Sequence, residues 1–256
     1  MSAPCSETDD TAEGVRLSRR VAELKGCSRR EAEQYIEGGW VRVAGQVVET
    51  PQHRVHGESI LIDPRASLGA PTPVTLLLNM PPGEVTHTGQ PADGTALGLL
   101  ATETQAKTDR SGIVPLRRHF NRQRLCVPLE SHASGLTVFT QDKHIARRLT
   151  EDAAWIEQEF NVDVEGTVSP TQLGPRQGPV PGAAAMPPAR VSLASTQPAR
   201  TTLRFAVKGH HPGLVEAWCE QAELHVCGIR RIRIGRIPLA GLPSGQWRYL
   251  LPHERF

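Results

Sequence analysis

The sequence carries almost no excess charge. Its 29 Lys and Arg against 27 Asp and Glu leave a net of +2, so the chain as a whole is not a polycation. Nucleic-acid contact, if any, must come from locally grouped basic residues. Four groups qualify: Arg16 to Arg30, Arg117 to Arg124, Arg147-Arg148 and Arg230 to Arg236. Taken singly, each reads first as a solvated face. Cysteine is also sparse and unpatterned. The five (Cys5, Cys27, Cys126, Cys219 and Cys227) are odd in number, and no two have C-x-x-C spacing. That argues against a disulfide frame or a zinc knuckle. With no signal-like opening, it predicts a reduced, cytoplasmic protein. No apolar run is long enough to span a bilayer, so no membrane partner is expected. There are no internal repeats. The 256 residues suit one large or two modest domains with a real core.

The most informative stretch runs from Cys27 to Gly45. Ser28 is placed to cap a helix, and Glu31 follows at capping-box spacing. Ala32, Tyr35 and Ile36 fall on one helical face, with Arg29, Arg30, Glu33 and Glu37 on the other. Gly38 and Gly39 end the helix. Val41 and Val43 alternate with Arg42, and Ala44-Gly45-Gln46 turns the chain toward Val47-Val48. Upstream, Leu17, Val21 and Leu24 keep i, i+4, i+7 spacing and leave Arg16, Arg19 and Arg20 facing out. An ordinary amphipathic helix before a hairpin would not need caps, faces and turn to agree. Residues 15–63 resemble the RNA-binding module first described in a small-subunit ribosomal protein, two short helices followed by strands. The resemblance implies RNA contacts from Arg16, Arg19, Arg20, Arg29, Arg30 and Arg42.

The rest of the chain divides by composition. Residues 1–14 are polar and acidic and read as a disordered tail. Residues 64–73, rich in Pro, Gly and Ala, read as a linker. From residue 74 to 256, strands outnumber helices, which predicts an α+β domain. Strands are expected at Val74–Asn79, Leu136–Thr140, Phe160–Val164, Thr202–Val207 and Ile229–Ile234, the last with an alternating Arg face. Helices are expected after the capping Asp142 and over Leu214–Gln221. Residues 170–188 are too long and too rich in Pro and Gly for an ordinary connection, so they read as a mobile insertion. Residues 86–108 are weakly patterned and receive no element.

Several of these pieces, in order, resemble the RsuA/RluB/RluF branch of the pseudouridine synthases. The opening L-N-K-P-x-G is matched by Leu78-Asn79-Met80-Pro81-Pro82-Gly83. The G-R-L-D-x-x-[TS]-x-G-L-L run falls on residues 127–137, and T-N-D on Thr140-Gln141-Asp142. The E-K-E-Y-x-V strand is matched by Glu157-Gln158-Glu159-Phe160-Asn161-Val162. Arg231-Ile232-Arg233-Ile234-Gly235 stands for R-x-R-I-G, and Leu242-Pro243-Ser244-Gly245-Gln246-Trp247-Arg248 for the closing L-P-x-G-x-W-R. With the small module in front, the resemblance covers nearly the whole chain. It implies a mixed α+β catalytic domain on an antiparallel sheet, acting as a monomer on RNA, ribosomal RNA first. It also implies isomerisation of uridine to pseudouridine with no cofactor and no metal. Arg231 and Arg233 are expected to contact RNA.

The departures sit at the chemistry. The family's nucleophilic Asp is Glu130 here, the Arg two positions earlier is Pro128, and the base-packing Tyr is Phe160. The segment R-Q-[IV]-R-R-M, whose Arg pairs with the catalytic Asp, falls on Pro212-Gly213-Leu214-Val215-Glu216-Ala217. Glu keeps a carboxylate but moves it by one methylene, on the order of 1 Å, and a displacement of that size can lower a rate about 10²-fold. Without the Arg, the carboxylate should tend to protonate, and Glu216 should add to this. Phe160 keeps the stacking face and loses only a hydroxyl. Two readings follow: an enzyme working through Glu130, or an inactive relative kept for RNA binding or ribosome assembly.

Other patterns point to blander roles. Glu130-Ser131-His132 lacks a G-x-S-x-G elbow, so it does not read as a hydrolytic triad. His210-His211 reads as a surface loop pair rather than a metal site. Trp40, Trp155, Trp218 and Trp247 read as packing residues, with RNA contact the alternative for Trp40, which borders the small module.

Overall fold

The computed structural model describes residues 14–69, 72–83, 98–130, 132–175, 177–178, 180 and 185–256. The expected disordered tail therefore lies outside the described residues except for Gly14, as do Ser131 and parts of segments 64–73, 86–108 and 170–188. The chain forms two compact units. One holds the residues up to Thr72 together with Pro115–His119, and the other holds the rest.

In the first unit, β1 (Val15–Arg16) leads into α1 (Leu17–Lys25), and α2 (Arg29–Glu37) follows. Then come β2 (Val41–Val43), β3 (Gln46–Val47), β4 (Arg54–Val55) and β5 (Ile60–Ile62). The Ser28–Glu31 capping box closes in both directions, with the Ser28 N–H donating to the Glu31 carboxylate at 2.8 Å. Two N-terminal donors are thereby satisfied. Leu17, Val21, Ala32, Tyr35 and Ile36 bury together against Val41, Val43 and Val55. Gly39 takes a φ of +74° and lets the chain leave α2. Ala44 and Gly45, both at positive φ, make the two-residue turn between β2 and β3. One expectation fails: Leu24 is 57 % exposed. It lies in the last turn of a nine-residue helix, beyond the reach of the small core.

The second unit is built on one large sheet in the order β10-β11-β9-β12-β8-β6-β14, with β13 on β12 and β7 on β8. The strands are β6 (Thr75–Met80), β7 (Arg124–Cys126), β8 (Ala133–Thr140), β9 (Glu157–Glu165), β10 (Ala189–Gln197), β11 (Arg200–Lys208), β12 (Val226–Ile234), β13 (Ile237–Pro238) and β14 (Trp247–Tyr249). Two helices of eight residues pack on it, α3 (Lys143–Thr150) and α4 (Leu214–Gln221). The expected strands and helices are present, most strands being longer than read. The sheet is antiparallel except where β12 runs parallel to β8, Ile229 opposite Ala133.

Every residue of β6 is buried, Thr75 and Asn79 included, which accounts for three consecutive leucines at its centre. Leu76, Leu78 and Met80 join the core that holds Val215 and Trp218 of α4. Leu77 joins the one that holds Ala146 and Leu149 of α3. The two terminal motifs of the unit bind each other. The Asn79 amide donates to the Leu242 carbonyl at 2.7 Å, and the Gly245 N–H donates to the Asn79 carbonyl at 2.8 Å. Trp247 is fully buried, packs edge-on against Phe120 and Tyr249, and donates to the Ala101 carbonyl. The unassigned segment thus contributes Ala101 and a short turn at Thr102–Thr104. Within the expected insertion, Val180 is buried against Val207 and Leu214.

Candidate active site

The centre of the second unit lies where β8, β9 and β12 meet. Arg231 of β12 faces Phe160 of β9 on one side and Gly135 of β8 on the other. Gly135 has a φ of +104°, and a Cβ there would collide with the Arg231 backbone. No other residue fits this approach.

Arg231 is 1 % exposed. Its Nε donates to the Leu136 carbonyl at 2.7 Å and its Nη2 to the Val127 carbonyl at 2.7 Å. Its Nη1 donates to the Pro128 carbonyl at 3.3 Å and to Gln158 Oε1 at 3.1 Å. The expectation that Arg231 contacts RNA is therefore corrected: the guanidinium is spent inside the fold. Arg231 shares the inward face of Ile229 by plain alternation, and a β-bulge between Arg231 and Arg233 shifts the register beyond it. Arg233 faces the other way but is bound by Glu157 and Glu159 at 2.6 and 2.7 Å. Its charge is already neutralised, so it too makes a poor phosphate contact.

The loop that Arg231 holds carries Glu130. Val127 in this loop has a φ of +51°, a real outlier for a β-branched residue. Glu130 lines a cleft with Phe160, His210, Leu214, Val215 and Arg231. The Gly213 backbone, at the start of α4, pulls its carboxyl down. Oε2 is buried and has no hydrogen-bond partner. Burial pushes the Glu130 carboxyl up to about 7, and the nearby Glu216 carboxylate adds to this. The Gly213 backbone and the Arg231 charge oppose this and lose.

Burial lowers Arg231 to about 9, and Glu130 opposes that. Four acceptors keep the guanidinium charged at neutral pH. His210 lines this cleft instead of a surface loop. Burial, with help from Arg231 and His211, lowers it to about 4, so it is neutral. Arg231 is the one Arg or Lys among the described lining residues. Val215 is buried in the wall where the family's Arg is expected. The cleft is narrow, with a cavity volume of only about 10 Å³. That is room for about one water.

In the first unit, Arg16, Arg19, Arg20, Arg29, Arg30 and Arg42 are all exposed. Arg19 and Arg20 lean on Glu23, and Arg29 on Glu33 at 3.4 Å. Such exposed pairs are weak and yield readily to a phosphate. Sequence reasoning missed His210 and gave Trp155 the wrong surroundings. Trp155 is 77 % exposed, not packed, because Ala153–Trp155 forms a tight turn that buries Ile156 instead.

Comparison with known proteins agrees with both units. Residues 15–61 match the S4 domain family. Over 244 residues the chain is 25 % identical to an uncharacterized RNA pseudouridine synthase of Aquifex aeolicus, covering 94 % of each chain. It is 28 % identical over 247 residues to the dual-specificity RNA pseudouridine synthase RluF of Escherichia coli, covering 94 % of this chain and 77 % of that one. A crystal structure of a pseudouridylate synthase superposes with a TM-score of 0.55 at 17 % identity, over 93 % of this chain and 96 % of the other. The α+β fold is that of a pseudouridylate synthase, with an S4 domain in front.

Proposed function

We propose that this S4-domain relative of the pseudouridine synthases isomerises uridine to pseudouridine in RNA, ribosomal RNA first, with Glu130 as its reactive carboxylate. The observation that carries the reading is a buried carboxylate with one unpartnered oxygen in a cleft floored by an aromatic ring. A buried orphan acceptor of this kind calls for an explanation, and a substrate atom supplies one. The reaction breaks the bond from the ribose to N1 of uracil and forms one to C5. A proton leaves C5 and N1 gains one, so the balance needs no redox partner. Glu130 would start the step on a flipped-out nucleotide. Phe160 would pack on the base, and Arg231 would hold the loop.

The reactive form is the ionised one, and Glu130 titrates at about 7. Pseudouridine formation on ribosomal RNA fragments should therefore rise with pH through about 7. Mass spectrometry of the RNA product measures this directly. A rate independent of pH between 5.5 and 8 would remove Glu130 from the role. Glu130→Asp alone should gain little. With Val215→Arg and Glu216→Arg added, it should gain activity, because the carboxylate then has a cation in the wall and loses an anion beside it.

A second reading, RNA binding without isomerisation, draws on the size of the cleft. A space for one water admits a uracil only after the walls move. No pseudouridine from either the wild type or the triple variant would decide for it.

Both readings place RNA on the S4 domain. The Arg29→Ala/Arg30→Ala variant should bind a structured RNA more weakly and flatten the fall of affinity with salt by about two phosphate contacts' worth. An unchanged salt slope would move the contact elsewhere.

A further inference from the structure

A second cationic surface lies in the other unit, at the far end of β8 from Glu130. Thr140 ends β8 and borders an open recess of about 440 Å³ between β7 and α3. Arg122, Arg124, Lys143 and Arg147 line this recess, along with Asp142 and Glu151. The two carboxylates are occupied. Asp142 caps α3, accepting from the His144 and Ile145 N–H groups, and Glu151 pairs with Arg147 at 2.9 Å. Arg122, Arg124 and Lys143 are exposed and have no ion-pair partner among the described residues. A folded chain with a net charge of only +2 has thus left three free cations at one concave place.

The chain leaving α3 adds an independent feature. Four residues past Glu151 it presents Trp155, the most exposed of the large apolar side chains described. An indole held out of the core on a short, hydrogen-bonded turn offers a flat face to solvent. Cations on one element and an exposed aromatic ring on the turn that follows it form the combination that binds single-stranded nucleic acid: phosphates on the cations, a base on the ring. The recess does not belong to the cleft. From Ala133, whose N–H binds the Glu130 carbonyl, to Thr140 is seven strand steps, roughly 23 Å.

We propose that this recess and Trp155 form a second RNA-contact surface, which takes the backbone of an unpaired strand and stacks one of its bases on Trp155. The proposal rests on the RNA-binding part of the reading above. It gives the unit that carries Glu130 its own grip on the substrate, so the S4 domain does not have to supply all of it.

The test uses the full chain, a fluorescein-labelled single-stranded RNA and a duplex RNA of equal charge, titrated by anisotropy over a range of salt. All four substituted side chains are exposed, so circular dichroism should show unchanged folding. Arg122→Ala/Arg124→Ala/Lys143→Ala should weaken single-strand binding about tenfold or more near 0.1 M salt. It should also reduce the logarithmic salt slope by about 2, three phosphates at roughly 0.7 each. Trp155→Ala should weaken single-strand binding about fivefold or more, with the slope and duplex binding unchanged.

Wild-type affinity and slope in the triple variant would overturn the proposal. If Arg29→Ala/Arg30→Ala still weakened binding, the RNA-binding reading would survive it. A wild type that binds no RNA would bring down both. Equal losses on duplex and single strand in Trp155→Ala would overturn the stacking. A loss on polyglutamate as large as that on RNA would mark a dock for acidic protein segments instead.

Discussion

Glu130→Gln is expected to abolish pseudouridine formation and, at pH 8, to raise the melting temperature by up to about 10 °C. The two effects share one cause. Glu130 titrates at about 7 in the folded chain against an ordinary value of 4.5. Between those values the folded chain holds its proton more tightly than the unfolded one, so stability falls as pH rises through that window. Above pH 7 the ionised carboxylate destabilises the fold by about 3 kcal/mol at most. Glutamine keeps the shape and lacks the charge, so that loss vanishes, and in a chain of this size each kcal/mol moves the melting point by about 2–4 °C.

Below pH 4.5 Glu130 is protonated in both states, and the variant should gain nothing there. His210 works in the opposite sense. It is held at about 4 against 6.5, and it makes stability rise with pH over that interval. In the wild type the two nearly cancel from pH 4.5 to 6.5. In Glu130→Gln the rise due to His210 should emerge alone. Calorimetry at several pH values measures this, and an equal gain at pH 4.5 and pH 8 would refute the assignment of the strain to charge.

The small module was legible because its information is local. Ser28, Glu31 and Gly39 act within a few residues of themselves, and the face formed by Ala32, Tyr35 and Ile36 needs only helical spacing. The large sheet was legible at its strands for the same reason, since β9 alternates buried and half-buried positions along most of its length. Arg231 was not legible. Alternation over Ile229–Ile234 sets Arg231 and Arg233 on one face, but the bulge between them separates the two. A buried guanidinium becomes tolerable only when acceptors surround it. Those acceptors come from Val127, Pro128, Leu136 and Gln158, 73 to 104 residues away in the chain. The same distance hid the role of His210, which reaches Glu130 through the fold and not through the sequence. Trp155 failed in the other direction: hydrophobicity predicted burial, and a three-residue turn decided which of Trp155 and Ile156 went inside.

Arg231→Met should prove the most destabilising single change in the second unit, lowering stability by about 3–5 kcal/mol. Methionine fills much of the volume but donates nothing. Three backbone carbonyls and the Gln158 amide oxygen would then lose the donors that now hold them at 2.7–3.3 Å, and unsatisfied buried acceptors are expensive. The loop from Val127 to Glu130 would lose its anchor, and the left-handed Val127 would have nothing to hold it. Glu130 would also lose the cationic pull of Arg231, so its carboxyl should titrate above 7 and any residual activity should need a higher pH. Arg231→Lys separates the two roles. Its ammonium keeps the charge but is a point donor that cannot span four acceptors in a plane. It should therefore lose stability while keeping the pH dependence near that of the wild type. Thermal unfolding and the pH profile of the product together read both roles. A wild-type melting point for Arg231→Met would mean that the guanidinium does not hold the site. Equal pH profiles for the Met and Lys variants would mean that its charge does not reach Glu130.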